Sequence, residues 1–211
     1  MRRALGTTVL CLAILVVLFP GTALGSIAKM ASEYNMKGVR ADITTPSSQL
    51  SGIVNYTTVK GLVGTEYGTN TGFLVRPPTY PHPMSYYVWY NSSGVPTEVI
   101  LSTQSYGSTR AYEIANHDTG YLWTIYIVGS PRHTSYDVYN SGTVSAGAAT
   151  SNSSSNIWSR VSTFQGRTTP AGSYYNFVNN SQSVYDSSPV ITSPLAINVY
   201  SANHHFVAYK P

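Results

Sequence analysis

The side chains able to trade protons in this sequence are eight carboxylates and five histidines. Glu66, Glu98, Glu113, Asp118 and Asp137 fall in or beside segments of strand-like polarity. Two such acids brought together could perform general acid/base work on water or a glycosidic bond. Taken singly, Glu98 in "TEVILS" and Glu113 in "AYEIAN" read as solvent-facing residues of alternating strands. The histidines, His82, His117, His133, His204 and His205, form no H-x-H or H-x-x-x-H pair. His204 and His205 are neighbours in a strand-like stretch and point to opposite faces, so no metal site is expected. There is no G-x-S-x-G elbow, no phosphate-binding loop and no dinucleotide fingerprint, so no cofactor is expected either.

Aromatic residues are the other group with binding chemistry. The chain has 18 tyrosines and 3 tryptophans. Most suit strands and a sandwich core. In "YYVWYN", alternation puts Tyr86, Val88 and Tyr90 on one face and Tyr87, Trp89 and Asn91 on the other. One set should face the core and the other line a groove; Tyr87, Trp89 and Asn91 are the ligand candidates.

These residues must be positioned by an exported domain. Arg2 and Arg3 precede an apolar run from Val9 to Phe19, and Ala23-Leu24-Gly25 supplies small residues at cleavage spacing. That is the pattern of a secretory signal peptide over residues 1–25, with an uncleaved anchor as the alternative. The apolar run has 11 residues, short of the roughly 20 a spanning helix needs. Removal of 25 from 211 residues leaves 186, enough for one domain with a sizeable core. The 12 basic and 8 acidic residues become 10 and 8 without Arg2 and Arg3, a net charge of +2, and no Lys/Arg cluster exists. Nucleic acid is therefore not an expected partner, and no membrane contact is expected after cleavage. Cys11, the single cysteine, lies inside the leader, so the mature domain has no disulfide and no thiolate.

Ser26 to Met36 is the one segment with helical spacing, at Ile27, Met30 and Tyr34, and is read as an N-terminal arm over residues 26–37. From Gly38 to Pro211, strand signals dominate: "VRADI", "IVNYTTVKGLV", "GFLV", "SYYVWYN", "TEVILS", "TRAYEIAN", "YLWTIYIVG", "SYDVYN", "IWSRVSTF", "YYNFV", "LAINVY" and "HFVAY". Turn residues such as "NSSG", "YGST", "NHDTG" and "GSPRH" separate them. The expectation is an all-β fold, a two-sheet antiparallel β-sandwich over residues 38–211. "VSAGAATSNSSSN", residues 144–156, reads as a mobile low-complexity loop, and "RPPTYPHP" as a loop or edge connection. Asn55, Asn91, Asn152 and Asn179 match the N-x-[ST] acceptor pattern.

The order "GVRADITTPSS", "YTTVKGLVG", "GFLV", "YYVWYN", "LWTIYIVG", "NIWSRVSTF" resembles the glutamic peptidase, or eqolisin-like, sandwich family. The resemblance implies bent antiparallel sheets with a concave, concanavalin-like groove. It also implies a Gln/Glu dyad that activates water for peptide hydrolysis at acid pH. Carried over along the matching motifs, the dyad falls on Val75 and Asn91, and the acid of a late strand falls on Asn156. Valine cannot hold a water, and an asparagine neither gains nor loses a proton. The expectation is a non-catalytic secreted protein for binding, adhesion, or cell-surface or filament structure, with no catalytic residue. Its partners would be an extracellular peptide, a glycan or neighbouring subunits joined by strand addition from the arm. The alternative is an acid-acting glutamic-type endopeptidase that uses other carboxylates, such as Glu66 or Glu98.

Overall fold

The computed structural model describes residues 25–211 except 54, 92, 119, 137–138, 179–182 and 202. The signal-peptide reading of residues 1–25 lies, but for Gly25, outside the described residues, as does the acceptor Asn179. Strands are numbered in chain order. One sheet runs β13 (Ser187–Ile191), β1 (Ser26–Ser32), β10 (Val144–Thr150), β3 (Val59–Thr65), β4 (Asn70–Arg76), β5 (Tyr80–Tyr90), β6 (Pro96–Thr103). The other runs β14 (Ala196–Ser201), β15 (His205–Tyr209), β11 (Trp158–Arg167), β2 (Gly38–Thr44), β7 (Thr109–Asn116), β8 (Leu122–Ile127), β9 (Ser130–Tyr136), with short β12 (Tyr175–Asn176) on β11. Neighbouring strands pair antiparallel, and no helix occurs among the described residues. The chain is thus the expected all-β antiparallel sandwich.

Alternation decides what each face holds. In β2, Val39, Ala41 and Ile43 are buried between the sheets while Arg40 and Asp42 point away, as "VRADI" predicts. Phe73 and Val75 of β4, Tyr87 of β5, Tyr112 and Ile114 of β7 and Phe206 of β15 meet in the same inter-sheet core. Each such side chain contributes about 1.5–3 kcal/mol by leaving water. A bulge in β11 between Ser162 and Gln165 holds Thr163 at φ 55° and turns Phe164 inward. Phe164 then stacks on Phe177 at 4.2 Å and meets Phe206 edge-on at 6.2 Å.

Three segments differ from the sequence reading. The 26–37 arm is not helical: Ser26–Ser32 is a strand whose even positions are buried and odd positions half-buried. Ser26, Ala28, Met30 and Ser32 follow a period of two, and that outweighs three apolar residues at helical spacing. β1 sits inside its own sheet between β10 and β13, so it is not a free arm for a neighbouring subunit. The supposed loop at 144–156 begins with β10, a fully buried strand between β1 and β3. Its Ala, Gly and Ser residues look like low complexity but serve close packing: a side chain at Gly147 would overlap the carbonyl of Ala28. "RPPTYPHP" also joins the sheet in part, because β5 already starts at Tyr80, although pairing with β4 is irregular there.

Candidate functional site

The site builds up from the outer face of the first sheet. In β3, Val59, Gly61 and Val63 face the second sheet, so Lys60 and Leu62 face outward. In β5 the outward set is Met84, Tyr86, Val88 and Tyr90. Leu74, Tyr86 and Val88 form a small apolar cluster on this face, flanked by Tyr80, Met84, Tyr90 and Ile100. Into this cluster the sheet places charge. Lys60 is only 4% exposed, its Nζ lies 2.8 Å from Glu98 Oε2, and it stands 4.3 Å above the ring of Tyr86. Glu98 Oε1 accepts a second bond from Arg76 Nη2 at 2.6 Å. Lys60 comes from β3 and Glu98 from β6, so their bond reaches over β4 and β5.

A pocket of about 260 Å³ opens over this network. Lys60, Arg76 and Glu98 supply its charge, Val88 and Tyr90 its apolar wall, and Thr58 and Ser151 its hydroxyls. Those last two residues are fixed by backbone. Thr58 N donates to Ser151 Oγ at 2.9 Å, and Ser151 N donates to the Thr58 carbonyl at 2.9 Å. Arg76 Nε donates to Thr58 Oγ1 at 2.6 Å.

Burial acts against the charge of Lys60 and lowers its pKa below the ordinary lysine value, with Glu98 opposing. Burial would also raise Glu98, but Lys60 and Arg76 together outweigh it and hold the carboxyl below its ordinary value. The consequence for stability has a definite sign. A folded pKa below the ordinary 4.5 stabilises the fold above that pH, and the benefit is lost as pH falls through the lowered value. The melting temperature should therefore drop on acidification below about pH 4.5. Lys60→Met/Glu98→Leu should flatten that part of the melting curve's pH profile.

Tyr86, fully buried, donates its hydroxyl to Asn70 Oδ1 at 2.8 Å. Burial raises the Tyr86 pKa, so the phenol stays a donor. Tyr86→Phe leaves the Asn70 oxygen without this donor and is expected to cost about 1–3 kcal/mol in urea unfolding.

The residues singled out from sequence are placed differently. Tyr87 is 8% exposed and belongs to the inter-sheet core, and Trp89 packs against it. His133 stacks on Trp89 at 4.3 Å and on Tyr87 at 5.8 Å. The residues of this strand that line the pocket are Val88 and Tyr90, with Tyr86 buried beneath them in the same phase. Val75 faces the inter-sheet core, not the pocket. Asn91 is exposed just past β5, and its Oδ1 accepts from Ser93 N at 3.0 Å and Val95 N at 2.9 Å. In the β4–β5 hairpin Leu74 faces Met84 and Asn70 faces Val88, so Val75 and Asn91 lie toward opposite ends of the pair. The structure does not bring the two dyad positions together. Asn156, the third such position, donates to the Ser51 carbonyl at 2.6 Å. Asn55 is exposed and Asn152 half-buried.

The other carboxylates are held separately. Glu66 accepts from Thr143, Glu113 from Tyr174 at 2.8 Å, Asp42 from Thr163 at 2.6 Å and Asp118 from Gly120 N. Asp137 lies outside the described residues. Among the described residues no group of three or more His, Cys, Asp or Glu side chains gathers as metal ligands would. The residues missed from sequence are Lys60, Arg76, Thr58 and Ser151. Their one visible signal was the phase of "VKGLV", which puts a lone lysine on the face opposite Val59 and Val63.

No family model matches the chain. Nor does any curated protein match it in sequence. Among solved structures it is similar to scytalido-glutamic peptidase bound to a peptide-based transition-state analogue. That likeness has a TM-score of 0.57 and 11% identity and covers 89% of this chain and 99% of the other. It is similar to the same degree to SCP-B, an eqolisin-family peptidase in complex with the tripeptide Ala-Ile-His. There the TM-score is 0.56 and the identity 10%, over 90% of this chain and 99% of the other. The chain therefore has the β-sandwich fold of the glutamic peptidases.

Proposed function

We propose that this chain is a secreted, non-catalytic member of that fold, and that it binds an extracellular ligand in the pocket on the outer face of its first sheet. The observation that carries the reading is the state of Glu98, the one carboxylate lining the pocket. Water activation for peptide hydrolysis needs a carboxyl that exchanges its proton at working pH. Glu98 is instead clamped by two cations that favour its ionised form. Val75 and Asn91 do not replace it, because neither lines the pocket. The case against catalysis thus rests on what the pocket contains, and fold alone does not decide it.

Export is part of the same proposal. The basic start and apolar run of residues 1–25 support it, as does a first strand that begins at Ser26 and so survives cleavage there intact. A glycan on exposed Asn91, one residue beyond Tyr90, would stand beside the pocket mouth.

The test is hydrolysis of a peptide library by the secreted protein from about pH 2 to pH 7, read by mass spectrometry. No cleavage above the buffer rate is expected at any pH. Turnover that is lost in Glu98→Gln would overturn the non-catalytic reading in favour of an acid peptidase.

A further inference from the structure

The pocket has a surplus of donors. Arg76 spends Nε on Thr58 and Nη2 on Glu98, and Nη1 has no acceptor among the described residues. Thr58 Oγ1 accepts from Arg76 and Ser151 Oγ accepts from Thr58 N, but neither hydroxyl hydrogen has an acceptor among the described residues. Each hydroxyl carries one donor hydrogen, and a guanidinium carries five. Arg76, Thr58 and Ser151 line one pocket, so three groups with hydrogens to give open onto the same space. The formal charge has the same sense: Lys60 and Arg76 against Glu98 leave +1 in a partly buried site. Beside the donors lie Val88, Pro96 and Ala149, which offer hydrocarbon, and Tyr90, which adds an aromatic ring and one further hydroxyl donor.

We infer that the ligand of this pocket is a monocarboxylate attached to an apolar group, namely the terminal carboxylate of a short peptide or an N-acylated amino acid. The inference rests on the binding reading above and adds the ligand class to it. A carboxylate supplies the acceptors that Arg76 Nη1, Thr58 Oγ1 and Ser151 Oγ lack, and its single charge balances the +1. A doubly charged phosphate or sulfate would overshoot that balance beside Glu98. The volume of about 260 Å³ leaves room for one acylated residue seated on Val88 and Tyr90.

The test compares N-acetylvaline with its primary amide by calorimetry at neutral pH, with inorganic phosphate as a third probe. The two organic probes have the same shape and differ in charge and in acceptor number. The acid is expected to bind about ten- to a hundredfold more tightly than the amide, the range for hydrogen bonds to a charged group. Ser151→Ala should weaken the acid several-fold without changing the amide, and Arg76→Gln should remove most of the preference. The Ser151 variant removes one half-buried hydroxyl, which also accepts from Thr58 N, and is the safeguard should the arginine variant fold poorly. Equal binding of acid and amide would overturn the carboxylate assignment while leaving a binding pocket in place. Phosphate binding tighter than the acid, or binding by none of the three, would also overturn the assignment. The non-catalytic reading is judged separately, by the peptide library.

Discussion

Glu98→Leu is expected to lower the stability of this protein by about 3 kcal/mol in urea or guanidinium unfolding, read as a midpoint shift at constant slope. The loss comes less from the deleted attraction than from what remains. Lys60 is 4% exposed and would be left charged in a site already costly for charge. Arg76 suffers less, because at 30% exposure it can turn toward water. Lys60→Met/Glu98→Leu removes the buried ammonium together with its partly exposed partner and should recover most of the loss, since an ion pair of this kind replaced by apolar residues of similar volume is often neutral or stabilising. The coupling in that double-mutant cycle is the discriminating quantity. Additive effects would show that Lys60 and Glu98 do not depend on each other, and the picture of a clamped carboxylate would fail with them.

Phe164→Ala should have the larger effect, about 3–5 kcal/mol. Phe164 is fully buried and touches two other aromatic rings, so alanine leaves a cavity that the sheets cannot close. Its orientation depends on the bulge that holds Thr163 in the left-handed region. Thr163→Gly should therefore change stability little, because relief of backbone strain offsets the lost bond to Asp42. A loss at Thr163→Gly as great as at Phe164→Ala would contradict that assignment.

The contrast between these two sites shows what the sequence made legible. Strands with clean alternation, such as "VRADI" and "TRAYEIAN", were readable in extent and in facing because one face is apolar and the other is not. "YYVWYN" was readable as a strand but not in facing. Both of its faces carry aromatic residues, since the outer face is itself partly covered by the Leu74–Tyr86–Val88 cluster. β10 was unreadable because a strand buried on both faces in a tight sheet needs small residues, and small residues in a row look like a linker. The site was harder still. Lys60, Arg76 and Glu98 come from three strands, and only the curl and pairing of the sheet bring their tips together. The two positions suggested by family likeness were chosen by motif spacing, and spacing does not report which way a side chain points.

The placement of β1 has a bearing on biogenesis. The ribosome delivers Ser26–Ser32 first, yet Ser26 pairs with Thr150 and Ala28 with Ile191. The nascent chain thus carries this strand unpaired until β10 is made and without its second neighbour until β13 is made, and contacts this distant in sequence slow folding. Such a protein completes itself only after translation ends.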